Sequence, residues 1–272
     1  MSKIVWDAIG EHKYETGVDH GVLYVFNATN NKYDNGVAWN GLTSVSESPS
    51  GAESNPQYAD NIKYLDLYSA EEFGATIECF TYPKEWEECD GSASPLEGLN
   101  VYQQSRKTFG LCYRTKIGND VNPDLGYKLH LVYGCKATPS ERAYNTVNDS
   151  PEALSFSYSI STTPIEVAGY KNTSILTIDS TKFTGDAAAR LAALEDKLYG
   201  TEDTYSATAK PLSAFVEGTD YYTKNASNEY VKVADTTGTP DSDTQYYTKT
   251  EGASAYLPLP SEVISTLSAN NG

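Results

Sequence analysis

The sequence predicts a mainly β chain: an antiparallel β-sandwich or barrel with one flanking helix, followed by a small C-terminal β appendage. Three observations lead there. Apolar and polar residues alternate at period two through the first two thirds of the 272 residues, the spacing of strands with one buried face. Tyrosine (22) outnumbers phenylalanine (7), with a single methionine, a composition suited to half-exposed sheet faces. Helical spacing occurs once, late, and the composition changes after Gly200.

Taken in order, Val22 to Phe26 is an early strand and Val37-Ala-Trp39 its partner, with Asn35-Gly36 between them as a tight hairpin signal. Residues 41 to 57 break the alternation. They are rich in Ser, Gly and Pro, with few apolar side chains, and predict a loop of roughly 15 residues, a length that is usually functional or disordered. Ala75, Ile77 and Cys79 alternate with Thr76, Glu78 and Phe80. Phe109, Leu111, Tyr113 and Ile117 alternate with Cys112, Arg114 and Lys116. Tyr127, Leu129, Leu131, Tyr133 and Cys135 share one face, leaving Lys128 and His130 on a wet one. Leu154, Phe156, Tyr158 and Ile160 alternate with serines. Ala187, Leu191, Leu194 and Leu198 mark a helix, with Asp186 as its N-cap and Gly200 as its stop.

Beyond Gly200, Tyr221-Tyr-Thr-Lys224 recurs as Tyr246-Tyr-Thr-Lys249, 25 residues on. Thr219 matches Thr244, and Tyr230 answers Tyr256 with one residue inserted. The expected organisation is therefore a core domain over 1–200 and an appendage over 201–272 built from two hairpin-sized units.

Charge narrows the function. Lysine and arginine number 20 against 37 acids, a formal net charge of −17, with a sequence pI near 4.5. Ordinary nucleic-acid binding needs clustered cations, and so do anionic membrane surfaces. Mean hydropathy is −0.49, and no apolar run approaches the ~18 residues of a spanning helix. The N-terminal stretch Met1-Ser-Lys-Ile-Val-Trp-Asp has no apolar h-region, so no Sec export is expected. The sequons at Asn27, Asn148, Asn172 and Asn225 accordingly carry little weight. Cys79, Cys89, Cys112 and Cys135 are far apart with no CxxC pair, which disfavours zinc and predicts buried reduced thiols.

The search for a catalytic site finds little. His12 and His20 could hold a metal with Asp19 or Glu15, although two exposed loop histidines are the simpler reading. His130 is most simply a surface residue on a strand. Glu85, Glu87 and Glu88 surround Trp86, but carboxylate clusters arise by chance among 37 acids, and a glycosidase needs a pair flanking a sugar cleft. No GxSxG, HExxH, P-loop or dinucleotide fingerprint is present. The expectation is no enzyme and no cofactor.

A family resemblance rests on several segments. Tyr33-Asp-Asn-Gly-Val-Ala-Trp-Asn-Gly-Leu-Thr-Ser-Val-Ser-Glu-Ser-Pro-Ser-Gly-Ala-Glu53 is followed by Asn55-Pro-Gln-Tyr-Ala-Asp-Asn-Ile-Lys-Tyr64. Then come Glu72 to Pro83, Gly126 to Cys135, Asn148-Asp-Ser-Pro-Glu152 and Ser159 to Pro164. Over roughly residues 1 to 200, these resemble the major tail (tail tube) proteins of long-tailed bacteriophages of Gram-positive hosts. The YYTK repeats lie outside the resemblance.

The resemblance implies a virion protein that self-assembles into hexameric rings stacked as a tail tube, the conduit for DNA ejection. It implies tape measure, terminator and distal tail proteins as partners, DNA that transits without specific binding, no membrane, and assembly in the host cytoplasm. The long loop becomes an assembly element, expected to be mobile before assembly, with Trp39, Asn40, Leu42, Thr43, Val45, Glu47, Pro49, Glu53, Pro56 and Tyr58 as its contact residues. The appendage is expected to face outward as a decoration. The competing reading is a carbohydrate- or host-surface-binding β-sandwich module of a tail fibre or adhesin.

Overall fold

The computed structural model describes residues 6–144, 146 and 153–268. The Asn148–Glu152 segment of the resemblance lies outside them. The chain forms two compact units, Met1–Tyr199 with Ala255–Gly272, and Gly200–Ser254.

The first unit is antiparallel β with helices. Its strands are β1 (Tyr14–Asn27), β2 (Lys32–Ala38), β3 (Leu42–Glu47), β4 (Ser50–Gly51), β5 (Ser54–Ala59), β6 (Ile62–Tyr68), β7 (Glu71–Glu72), β8 (Gly74–Cys79), β9 (Ala93–Leu96), β10 (Leu99–Val101), β11 (Phe109–Gly118), β12 (Gly126–Ala137), β13 (Phe156–Thr162) and β14 (Ile175–Asp179). The helices are α1 (Trp86–Asp90), α2 (Asp186–Tyr199) and α3 (Pro260–Leu267). The main sheet runs β2-β1-β11-β12-β13-β8-β3, with β14 also on β12. It folds over as a sandwich with a flanking helix and does not close into a barrel.

Two apolar clusters lie on opposite faces of β11 and β12. One gathers Leu23, Ile77, Leu111, Val132, Cys135 and Ile160 around Trp86, whose ring centroid is 4.7 Å from Trp39, 5.0 Å from Phe109 and 4.9 Å from Tyr158. The other gathers Tyr24, Cys112, Leu129, Leu131 and Tyr133 under Leu191, Leu194 and Leu198 of α2. So β12 is buried on both faces from Leu129 to Cys135, where the alternation predicted one wet face. Cys135 also changes sides, because Gly134 (φ +63) shifts the register between Phe109 and Leu111. Such an extra residue turns the following side chains over.

Asn35-Gly36 is likewise a bulge and not the hairpin turn. Residues 28–31 connect β1 to β2, and the register shifts opposite Tyr24. A Cβ on Gly36 would stand 2.5 Å from the Tyr24 ring, so only glycine lets that tyrosine lie flat there. The helix agrees with its periodicity: Leu191, Leu194 and Leu198 are buried, Asp186 is its first residue, and Gly200 follows in the left-handed region at φ +77.

The second unit consists of β15 (Thr204–Ala207), β16 (Tyr221–Lys224), β17 (Tyr230–Lys232) and β18 (Tyr247–Thr250), in the order β15-β18-β16-β17. The single appendage expected over 201–272 is therefore corrected. Residues from Ala255 onward rejoin the first unit, where Leu257 bridges to Tyr33 and Leu257 and Val263 are buried in the α2 cluster. Reading everything after Gly200 as poor in apolar residues passed over Leu257, Leu259, Val263, Ile264 and Leu267, of which Leu257 and Val263 are buried together with Pro258 and Pro260. Tyr256 accordingly does not repeat Tyr230; its hydroxyl donates to Glu262 at 2.6 Å.

Truncation after Gly200 should unfold the first unit. It removes Leu257 and Val263, and losing such buried side chains costs about 2–5 kcal/mol each out of a total of about 5–15 kcal/mol. Excising Glu202 to Gly252 and joining Thr201 to Ala253 through a short glycine linker should leave unfolding cooperative. The ends are already adjacent, since the Thr201 N–H donates to the Ala253 carbonyl at 3.0 Å. Urea denaturation followed by circular dichroism separates the two outcomes.

Candidate functional site

The predicted loop is instead the rising half of a β arm. β3 pairs with β8 from Leu42↔Cys79 to Glu47↔Ala75. The ladder continues through Ser50↔Glu72 and Gly51↔Glu71, then into the hairpin of β5 and β6 from Ser54↔Tyr68 to Ala59↔Ile62. The hairpin turns on Asp60 and Asn61, both with positive φ (51° and 62°), the backbone of a two-residue primed turn. Asp and Asn tolerate that region, so Tyr58-Ala-Asp-Asn-Ile62 was the available signal. The expected loop ended at residue 57, just short of it. The expectation of a mobile, unstructured segment is replaced by a paired ladder.

The arm's tip is apolar yet exposed. Tyr58, Ile62, Tyr64 and Tyr68 are 63–70% exposed, and Leu65 and Leu67 lie at 40% and 55%. The β5–β6 pair forms its own two-stranded sheet, and an isolated hairpin is marginal in water without a face to bury.

The predicted contact residues divide by place. Trp39 is 3% exposed and belongs to the core, with its indole N–H donating to the Thr81 carbonyl at 3.1 Å. Leu42 and Val45 pack against the same core. Asn40, Thr43, Glu47, Pro49, Glu53 and Tyr58 are exposed, and Pro56 is half-buried. Residues 62 to 68, which carry most of the exposed apolar surface, were not among those expected.

A polar cluster holds the arm's root. The Tyr113 hydroxyl donates to the Glu47 carboxylate at 2.5 Å, and the His130 Nδ1 lies 3.5 Å from the same oxygen. His130 stacks on Tyr113 with centroids 4.6 Å apart, and its Nε2 is 3.0 Å from Thr115 Oγ1. The strand-surface reading of His130 is corrected here: it is 8% exposed, since the arm's root covers the face that alternation left wet. Burial holds its imidazole below the ordinary range, against the pull of Glu47 and Glu15. Lys128 is paired with Glu15.

The other candidate groups do not converge. His12 stands 3.3 Å from Asp120 and 3.5 Å from Asp7, while His20 meets Asp19 at 3.0 Å. Arg114 donates to that Asp19 at 2.7 Å and holds its carboxyl below the usual range. Among the described residues no set of three or more His, Cys, Asp or Glu is placed to hold a metal. Glu87 accepts from the Asn100 amide at 3.0 Å, and Glu88 pairs with Lys107 at 2.5 Å. All four cysteines are free and buried, and burial pushes the Cys89 and Cys112 thiols up to about 12. No helix among the described residues is long and apolar enough to cross a membrane.

No family model matches this chain, nor does any curated protein. Among solved structures it is similar to a chain of the PVC sheath–tube complex of an extracellular contractile injection system in its extended state. The TM-score is 0.28 and the identity 9%, over 64% of this chain and 94% of that one.

The buried imidazole makes stability pH-dependent in a defined sense. Because folding lowers the His130 pKa, the unfolded chain takes up the proton first as pH falls below about 6.5, and stability drops until the native imidazole also titrates. Full stability lies above that value. Comparing urea midpoints at pH 7.5 and 5.5, His130→Gln should lose less on acidification than the wild type, by up to about 1.4 kcal/mol. An equal loss in both proteins would mean that His130 does not contribute.

Proposed function

We propose that this chain is a structural tail tube subunit of the kind found in long-tailed phages of Gram-positive hosts, and not an enzyme. Copies would assemble into hexameric rings, stacked as the conduit for DNA ejection. The observation that carries the reading is the arm: an isolated hairpin exposing six large apolar side chains needs a partner surface to cover it. A second copy supplies that surface repeatedly, and a closed ring also pairs the free edges of the sheet. Asn40, Thr43, Pro49, Glu53, Pro56 and Tyr58 would act with residues 62 to 68 in this contact, while Trp39, Leu42, Val45 and Glu47 would fix the arm's direction.

The charge suits a conduit. Each copy brings a net charge of −17, and a negative wall repels DNA and lets it slide, where a basic one would hold it through counterion release. Tape measure, terminator and distal tail proteins would be the further partners, in a tube assembled in the host cytoplasm and residing in the virion.

Replacing Glu53 to Ser69 with a short Gly-containing turn tests the arm. The variant should keep the wild-type urea midpoint to within about 1 kcal/mol, since surface changes away from the core cost little. It should stay discrete in sedimentation at concentrations where the wild type forms tubes in negative stain. Tubes of normal diameter from the variant would remove the arm from assembly. A wild type that stays monomeric at every concentration would favour a discrete binding module instead.

A further inference from the structure

The YYTK repeat, which tube assembly leaves unexplained, builds a symmetric sheet. In both copies a backbone N–H donates to the hydroxyl of the first tyrosine five residues later, Val216 to Tyr221 at 3.2 Å and Asp241 to Tyr246 at 3.0 Å. These first tyrosines are buried against Phe215. The copies pair antiparallel, with Tyr222 opposite Tyr247. Their outer neighbours also correspond, since Lys224 faces Tyr230 and Lys249 faces Tyr205. Tyr205, not Tyr256, is thus the counterpart of Tyr230.

One face of this sheet therefore carries the second tyrosines of both repeats together with Tyr205 and Tyr230. The Tyr205 and Tyr230 rings stack with centroids 3.9 Å apart, and Tyr222 and Tyr247 meet them edge-on at 5.1 and 5.0 Å. All four are half-exposed. Among the described residues their hydroxyls meet no hydrogen-bond partner, unlike those of Tyr221 and Tyr246.

Three lysines lie on the same face, together with the carboxylates that pair two of them. The unit holds four lysines and nine acids. Lys224, Lys232 and Lys249 share the tyrosine side of the ladder, since directly paired residues point the same way, Lys232 lying opposite Tyr222. Asp220 holds Lys232 at 2.6 Å and Asp203 holds Lys249 at 2.7 Å. Among the described residues Lys224 has no carboxylate partner: two residues before Tyr230 stands Asn228, where Asp203 precedes Tyr205. Its ammonium lies 5.0 Å above the Tyr230 ring and 5.9 Å from that of Tyr247.

We propose that this face is a binding site for an anionic glycan, with the tyrosines receiving sugar rings and Lys224 receiving a carboxylate. Sugars present apolar C–H faces ringed by hydroxyls, which match aromatic surface edged by free phenols. The unpaired ammonium beside those rings supplies the complementary charge. A dense polyanion such as nucleic acid is opposed by the unit's own excess of acids, whereas a glycan with one acid group on every second sugar meets one lysine.

The test uses the full chain and three probes. Two are hyaluronan oligosaccharides, which carry one carboxylate per disaccharide, and chitin oligosaccharides, which are neutral. A thymidine oligonucleotide is the third. Calorimetry should show hyaluronan bound about tenfold more tightly than chitin, and Tyr222→Ala should weaken both by about tenfold. Lys224→Gln, an exposed change that spares the fold, should weaken hyaluronan alone, by about fivefold. It decides the matter even where the tyrosine variant unfolds. Absence of hyaluronan binding, equal affinity for the two glycans, an unaffected Lys224→Gln, or preference for the oligonucleotide would each overturn the proposal. None of these readouts depends on tube formation.

Discussion

From Leu129 to Cys135 strand β12 has no wet face, and the rest of the first unit follows from that constraint. A strand buried on both sides must be covered twice. The layer of β13, β8 and β3 with α1 closes over one side, and α2 with α3 over the other. Gly134 divides the labour. Before it, β12 pairs with β14 from Lys128 to Val132; after it, β12 pairs with β13 from Cys135 to Ala137. The bulge therefore marks the place where one sheet becomes two layers. A side chain there would collide with the Thr163 carbonyl, and the Gly134 N–H donates to the Tyr33 hydroxyl at 2.9 Å.

Tyrosine serves this arrangement where phenylalanine would not. Covering layers that end in helix termini and loops present backbone carbonyls to the sheet, and a buried carbonyl without a donor is costly. Tyr24 donates to the Leu198 carbonyl at 2.6 Å at the end of α2, and Tyr133 to Pro258 at 2.9 Å before α3. Tyr127 reaches Glu195 on α2 at 2.7 Å. Each ring fills apolar space while its hydroxyl fixes the segment above it. Residues 255 to 268 are held by such contacts and by the burial of Leu257 and Val263 in the α2 cluster.

The same physics explains what could be read from the sequence. Period two revealed β8, β11, β12 and β13, and period 3.6 revealed α2, because those patterns are local. Alternation could not tell a wet face from one covered by distant residues, so His130 and Lys128 looked equivalent although only the first is roofed by Glu47 and Tyr113. A bulge reverses alternation without altering composition, which misplaced Cys135 and turned Asn35-Gly36 into a hairpin. The arm was missed for the opposite reason. Its first half is Ser- and Gly-rich because most of it is solvated, Leu42 and Val45 being the residues that pack on the core, and most of the exposed apolar side chains lie on the returning strand.

The arm and the second unit relate differently to the core they share a chain with. The arm is an extension of the core's own ladder, since β3 and β8 pair with each other and with the sheet before continuing outward. Its root is fixed by Leu42, Val45 and the Glu47 cluster. The second unit interrupts the chain between α2 and Leu257, and its two ends are joined by the bond between Thr201 and Ala253. It carries its own aromatic packing around Phe215 and Tyr221, and its sheet shares no strand with the first. The proposed contact with neighbouring copies would gain from the arm's continuity with the core. The proposed glycan face is built within the second unit alone, from Tyr205, Tyr222, Tyr230 and Tyr247 packed on one another.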